Sequence, residues 1–211
     1  MPHTSRWHRF TVDSVLSQKM IKTIVPHLQT ASAPHLRDFK MNLSQNRSFN
    51  YIQTPTDATS SVCVCLFTRG TASLTEARLI RAYIYTPPLT GLTYLQLGGT
   101  YGATKEVTTN LLHDFVTASP FLINLDLQYL DIVFPLKTSV SDIQIPSLHS
   151  LTMSKVSSRT CNFWRLFSLF SLPKLETLAL VSYKSEFTKP LTNIGHQSHA
   201  TITVLQLVNC G

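Results

Sequence analysis

Along this 211-residue chain one hydrophobic spacing recurs: an apolar residue, two others, an apolar residue, one other, an apolar residue. It reads Leu92-x-x-Leu95-x-Leu97, Leu122-x-x-Leu125-x-Leu127, Leu148-x-x-Leu151-x-Met153, Leu175-x-x-Leu178-x-Leu180 and Ile202-x-x-Leu205-x-Leu207, with starts 30, 26, 27 and 27 residues apart. The last two apolar positions are two residues apart, so a strand turns both into a core and the residue between them outward. The first position seals the turn that brings the chain into the strand. Prolines lead into most copies, as in Pro120-Phe121-Leu122, Pro146-Ser147-Leu148, Pro173-Lys174-Leu175 and the Pro87-Pro88-Leu89 turn. Weaker copies lie upstream: Leu36-x-x-Phe39-x-Met41 behind Ala33-Pro34-His35, and Trp7-x-x-Phe10-x-Val12. Leu74-x-x-Ala77-x-Leu79 is off-beat, 38 residues after its predecessor and 18 before its successor, with Ala in the middle slot.

A fixed period in this range is the sequence mark of a leucine-rich-repeat solenoid. The expected fold is α/β: a curved right-handed coil with a parallel sheet on its concave side and helices and irregular segments on its convex side. About eight repeats form one array over residues 1–211. Helices are predicted over Ser14 to Val25, ended by Pro26, and over Lys105 to Thr117, capped by Thr104 and striped with Val107, Leu111, Leu112, Phe115 and Val116. A third, very apolar helix is predicted over Cys161 to Leu172, and a short helix or irregular turn near Phe187, Leu191 and Ile194. Residues 42–61 are rich in Ser, Thr, Asn and Gln and read as an irregular polar loop; Pro135 to Ile145 reads as an extended return.

No apolar run approaches the roughly 18 residues a membrane helix needs, and the first twenty residues lack the apolar block of a secretory signal. A cytoplasmic or nuclear location is expected, with no membrane association. Cys63, Cys65, Cys161 and Cys210 are expected to be reduced structural thiols.

Chemistry is sparse. Gly98 to Lys105 sits where a phosphate loop would, after a strand and before a helix, but lacks its spacing. His196-x-x-His199 has no carboxylate or thiolate at metal spacing, and no Gly-x-Ser-x-Gly turn marks a nucleophile. The expectation is no enzyme, no catalytic residue, no cofactor and no metal. The net charge of +7 raises a nucleic-acid alternative, but the 18 Lys and Arg residues are scattered rather than striped with aromatics. A dispersed basic surface that favours acidic partners is the preferred reading.

Binding is expected on the outward strand positions, which form one ladder across successive repeats. The candidate residues are Glu76, Arg78, Tyr94, Gln96, Asn124, Asp126, Ser150, Thr152 and Thr177, continuing through Ala179, Val204 and Gln206. Arg9, Thr11, Asp38 and Lys40 extend the ladder upstream, where it is charged; downstream it is small and neutral.

The segments Ser5 to Phe10, Ala33 to Leu36, Leu89 to Leu97, Ser119 to Leu127 and Leu172 to Leu180 resemble the repeat region of F-box/leucine-rich-repeat proteins, particularly those of mushroom-forming fungi. The resemblance implies a substrate adaptor: an F-box docks on the Skp1 subunit of a cullin-type ubiquitin ligase, and the repeats bind a protein on the concave face. A stand-alone repeat scaffold with no ligase link is the alternative. The F-box, a helical module opening on a Leu-Pro-x-Glu phrase, is not found in these residues, so Skp1 and cullin become partners only if one is encoded elsewhere. The array is therefore expected to be a fragment, truncated at both ends and prone to fray at Ile202–Val208 where apolar surface would lie uncapped.

Overall fold

In the computed structural model, which describes residues 3–13, 18–43, 63–99, 105–133, 143–156, 167, 170–182 and 202–210, each of the eight copies of the phrase becomes a strand. Seven are entered through a tight turn. The first residue of the phrase donates its backbone N–H to the carbonyl three residues earlier: Trp7 to Thr4, Leu36 to Ala33, Leu74 to Thr71, Leu92 to Leu89, Leu122 to Ser119, Leu148 to Ile145 and Leu175 to Leu172, at 3.0–3.2 Å. Pro34, Pro120, Pro146 and Pro173 occupy the second turn position, where the fixed φ of proline suits the bend and its missing N–H costs nothing. Gly91 sits in one of the three turns that lack this proline. A Cβ there would stand 2.9 Å from the Leu74 carbonyl oxygen, so the turn can lie against the preceding repeat only without a side chain.

The chain divides into two compact units, Met1–Leu92 and Thr93–Gly211, each a parallel β-solenoid. The first contains β1 (Arg9–Asp13), α1 (Gln18–Gln29), β2 (Asp38–Asn42), β3 (Val64–Cys65), β4 (Glu76–Ile80) and β5 (Tyr85–Thr86). Strands β1, β2 and β4 pair side by side in parallel, and β3 pairs with β5 on the return path. Here the core is aromatic. Phe10 stacks on Phe39 at 5.5 Å between ring centroids, and Phe67 stands edge-on to both. The weak middle position of the off-beat copy now has a reason: Ala77 lies in register beside the bulky Phe39.

The second unit contains β6 (Tyr94–Gly98), β7 (Lys105–Thr108), α2 (Thr109–Thr117), β8 (Asn124–Gln128), β9 (Leu130–Val133), β10 (Ile143–Gln144), β11 (Ser150–Ser154), β12 (Phe170–Ser171), β13 (Thr177–Val181) and β14 (Val204–Val208). Strands β6, β8, β11, β13 and β14 form a parallel sheet in that order, without a register slip. Leu95, Leu125, Leu151 and Leu178 form one buried row, and Leu97, Leu127, Met153 and Leu180 the next. Their partners on β14, Leu205 and Leu207, are exposed.

The return paths differ most from expectation. Among the described residues they hold two α-helices and three short parallel pairs, β3–β5, β7–β9 and β10–β12, rather than a continuous helical layer. Lys105–Thr108, expected as the first turn of a helix, is a strand because Val107 pairs with Ile132 and both are buried. The helix therefore starts at Thr109, and its cap is Thr108, whose Oγ1 accepts the Leu111 N–H at 3.2 Å, rather than Thr104. Helix α1 runs past its expected stop through Pro26 to Gln29. Its end is held from outside: Phe67 N–H donates to the Leu28 carbonyl, and Thr68 donates through both N–H and Oγ1–H to that of Gln29. The helix expected over Cys161 to Leu172 ends instead in strand β12, which pairs with β10, while residues 161–166 lie outside the described ones. The expected polar loop lies almost wholly outside them too, as does the segment near Phe187, Leu191 and Ile194.

Strand exits share a second device. Arg81, Tyr129, Lys155, Ser182 and Asn209 each follow the last residue of a sheet strand, and each has a left-handed φ of 48–60°. The N–H groups of Tyr129, Lys155 and Ser182 each donate to the carbonyl of the last strand residue in the next repeat, at 2.7–3.1 Å. This corner turns the chain out of the sheet while extending the backbone ladder by one bond. A non-glycine residue held there pays a conformational cost that the ladder bond offsets.

Two outcomes follow. Phe39→Ala should destabilise the chain by about 3–5 kcal/mol in denaturant titration, through transfer loss and the cavity left among the rings. At the β13 corner, Ser182→Val should cost about 1–2 kcal/mol more than Ser182→Asn by the same measurement, because a β-branched residue tolerates the left-handed region worst and Asn tolerates it well.

Candidate functional site

Outward positions of the strands line up as the alternation requires, and the two units use them differently. In the first unit, Arg9, Asp38 and Glu76 share one row and Thr11, Lys40 and Arg78 the next. Arg9 Nε lies 2.9 Å from Asp38 Oδ2, Arg78 Nη1 3.5 Å from Asp38 Oδ1, and Arg78 Nη2 2.8 Å from Glu76 Oε2. One residue further along, Asp13 accepts from Lys40 Nζ at 3.1 Å and from Asn42 Nδ2 at 2.8 Å. Those hydrogen bonds, Lys40 foremost, hold the Asp13 carboxyl below the usual carboxylate range. Three cations thus meet three carboxylates, and the charged half of the ladder is neutralised from within. The exposed Lys40–Asp13 pair contributes little stability, whereas Asp38 is buried between Arg9 and Arg78 and relies on them; the consequence is that Arg78 and its neighbours present no unbalanced positive stripe.

In the second unit the rows read Tyr94, Asn124, Ser150, Thr177 and Val204, then Gln96, Asp126, Thr152, Ala179 and Gln206. Asp126 is the one charged residue of these rows. Its Oδ2 accepts from Gln128 Nε2 at 2.8 Å, Gln96 Nε2 at 3.2 Å and Tyr94 Oη at 3.4 Å. Its Oδ1 is buried and has no hydrogen-bond partner. Burial pushes the Asp126 carboxyl above its ordinary value, while the bonds from Gln128 and Tyr94 act the other way. Three neutral donors on one oxygen and none on the other describe a carboxylate fixed in place, with its second oxygen buried and closed to solvent.

Asn124, Ser150, Thr152 and Thr177 continue the face beyond Asp126. They are half-buried, and none of their side chains makes a hydrogen bond to another described residue. Of the residues expected on the ladder, the structure therefore gathers Tyr94, Gln96 and Asp126 into one cluster and aligns Asn124, Ser150, Thr152 and Thr177 beside it. Glu76 and Arg78 belong to the separate ion-paired network. Two outward positions per strand leave out the third, which supplies Gln128, Asp13 and Asn42. The same period of two, carried one step further, would have found them.

The other chemical candidates add little. Cys63 Sγ–H donates to the Tyr83 carbonyl at 3.9 Å, and Cys210 Sγ–H donates to the carbonyls of Leu180 and Val208 at 3.5 Å, which is a structural use. Among the described residues no group of three or more His, Cys, Asp or Glu side chains is placed to hold a metal, and no helix is long and apolar enough to cross a membrane. Residues 100–104 of the glycine-rich loop, His196, His199 and Cys161 lie outside the described residues. No protein-family model matches the chain, and neither a curated protein nor a solved structure does.

The raised carboxyl of Asp126 has a signed consequence. Its folded-state pKa lies above the unfolded value of 3.8, so the folded chain holds this proton more tightly. Stability contributed by the protonated form is full below 3.8 and is lost as pH rises through the folded-state pKa. Melting temperatures of the native chain and Asp126→Asn, followed upward from pH 3.8, should diverge, the native chain losing more; parallel profiles would show that Asp126 is not desolvated.

Proposed function

We propose that this chain is a protein-interaction module, a leucine-rich-repeat scaffold that holds a segment of a partner protein across the sheet face of its second unit. The observation that carries this reading is the strip formed by Asn124, Ser150, Thr152 and Thr177. These four side chains bear hydrogen-bonding groups on adjacent strands in register, and no described neighbour uses them. Parallel strands repeat every 4.7–4.9 Å or so, which spaces these groups regularly along a bound segment. Asp126, fixed at the edge of the strip by Gln128, Gln96 and Tyr94, gives the face a localised negative charge that favours a cationic side chain of the partner. The internal neutralisation of Arg9, Lys40 and Arg78 supports a protein partner over a nucleic acid, whose phosphates need unpaired cations.

The resemblance to F-box/leucine-rich-repeat proteins narrows this reading to substrate selection for a cullin-type ubiquitin ligase. The scaffold reading does not depend on that step. Selection of peptides from a display library on the immobilised protein tests the face itself. Selected peptides should carry Lys or Arg, and Asp126→Asn should weaken them about tenfold, through loss of the charge attraction of a half-buried carboxylate. Thr152→Arg, which fills the middle of the strip, should abolish binding, whereas Lys174→Glu on an exposed turn should not. Binding that survives Thr152→Arg would remove this face from consideration. Association of the full gene product with Skp1 and a cullin is a separate measurement; finding neither leaves the scaffold without the ligase.

A further inference from the structure

A polar cavity of about 320 Å³ opens in the first unit, away from the sheet face, between the turn at Thr4–Arg6, the end of α1 and the loop that carries Arg69. Its lining includes the hydroxyls of Thr4, Ser5, Thr30 and Ser32, the His27 imidazole and the Arg69 guanidinium, with no carboxylate among them. None of these six side chains is hydrogen-bonded or ion-paired to a described residue. The three described carboxylates of this unit, Asp13, Asp38 and Glu76, are all taken up in the ion pairs on the sheet face. Arg69 therefore faces a recess rich in donors with no counter-charge of its own.

The recess is held in shape by backbone bonds. Phe67 and Thr68 are tied to the carbonyls of Leu28 and Gln29, Gly70 N–H closes the loop on the Phe67 carbonyl at 2.8 Å, and Ala33 N–H donates to the Gly70 carbonyl at 3.1 Å. Arg69 sits between these anchors, so its Cα is fixed relative to Thr30 and Ser32 before anything binds. The left-handed φ of Phe67 and the φ of +107° at Gly70 are what let so short a loop meet both anchors. The end of α1 brings partial negative charge to the same place. Its carbonyls at Leu28 and Gln29 are already occupied by these N–H groups, which leaves the guanidinium as the dominant charge.

A guanidinium on an anchored backbone, an imidazole and four hydroxyls around a small cavity are the donor types that recognise a tetrahedral oxyanion. We propose that this cavity binds a phosphate group, either free phosphate or the phosphomonoester of a small molecule. Its volume lies at the lower end of small-ligand sites and leaves room beside the phosphate for a few further atoms. The proposal does not rest on the protein-binding reading of the second unit.

The test titrates the ¹⁵N-labelled chain with inorganic phosphate and, separately, with glycerol phosphate at constant ionic strength. Saturable shifts of the Thr4, Ser5 and Ser32 amides and of Arg69 Nε are expected. Arg69→Gln should weaken binding by about tenfold or more, as should Ser5→Asp, which puts a carboxylate at the mouth. Lys22→Gln, an equal change of charge on an exposed face of α1 outside the cavity, should leave it within about twofold, since exposed distant charges are screened. Tighter binding of the ester identifies a phosphomonoester as the ligand, and tighter binding of the inorganic ion identifies free phosphate. Shifts that do not saturate with either probe, or equal weakening by Arg69→Gln and Lys22→Gln, would overturn the proposal. Far-UV circular dichroism of each variant separates loss of the site from loss of the fold.

Discussion

No repeat of this chain can satisfy its own backbone, and the rest of the architecture follows from that. A single strand exposes a row of N–H and C=O groups on each side, and burying them unpaired is prohibitive. Each repeat therefore stacks on the next in register. The bonds start before the strand does: the carbonyls of His8, Arg37, Thr93, Ile123, His149 and Glu176 each accept two successive N–H groups from the following repeat. They persist past its end, through the left-handed corners at Tyr129, Lys155 and Ser182. Because the register is fixed at entry and exit, the side chains between can form straight rows.

Those rows sort themselves by face. Inward, the rows led by Leu95 and Leu97 bury one apolar side chain per repeat, each worth about 1.5–3 kcal/mol of transfer free energy. Outward, the same register brings residues 30 to 40 positions apart to hydrogen-bonding distance, as with Gln96 and Asp126 or Arg78 and Asp38. A stacked parallel sheet is thus a device for displaying side chains at fixed spacing. In the first unit the displayed groups neutralise one another. In the second they are mostly uncharged, and Asn124, Ser150, Thr152 and Thr177 make no side-chain hydrogen bond to another described residue.

The sheet strands were legible because their determinants are local. Alternation with a period of two assigns inside and outside within five residues, and a proline at the second position of four of the seven turns marks where the strand begins. The return paths were not legible on the same terms. In Lys105 to Thr117 the apolar residues satisfy a helical stripe throughout, yet Val107 is claimed by Ile132 across a parallel pair and the helix begins four residues late. Pro26 reads as a stop, yet α1 continues because a loop some forty residues on caps its carbonyls. The outward residues of the candidate site were legible as positions. Their pairings were not, since a strand pattern carries no information about the lateral neighbour.

By itself the sequence determined the repeat, the turns that open each strand and the two faces of the sheet, all of which depend on residues within one phrase. Only the tertiary structure decided which return segments became strand or helix, that Arg9, Lys40 and Arg78 are neutralised, that Asp126 is fixed on one oxygen with the other buried, and that Arg69 lines a recess with no described carboxylate beside it. Each of these depends on a neighbour brought alongside by stacking. The energy of such a contact resides in the distance between two repeats, and no single phrase encodes that distance.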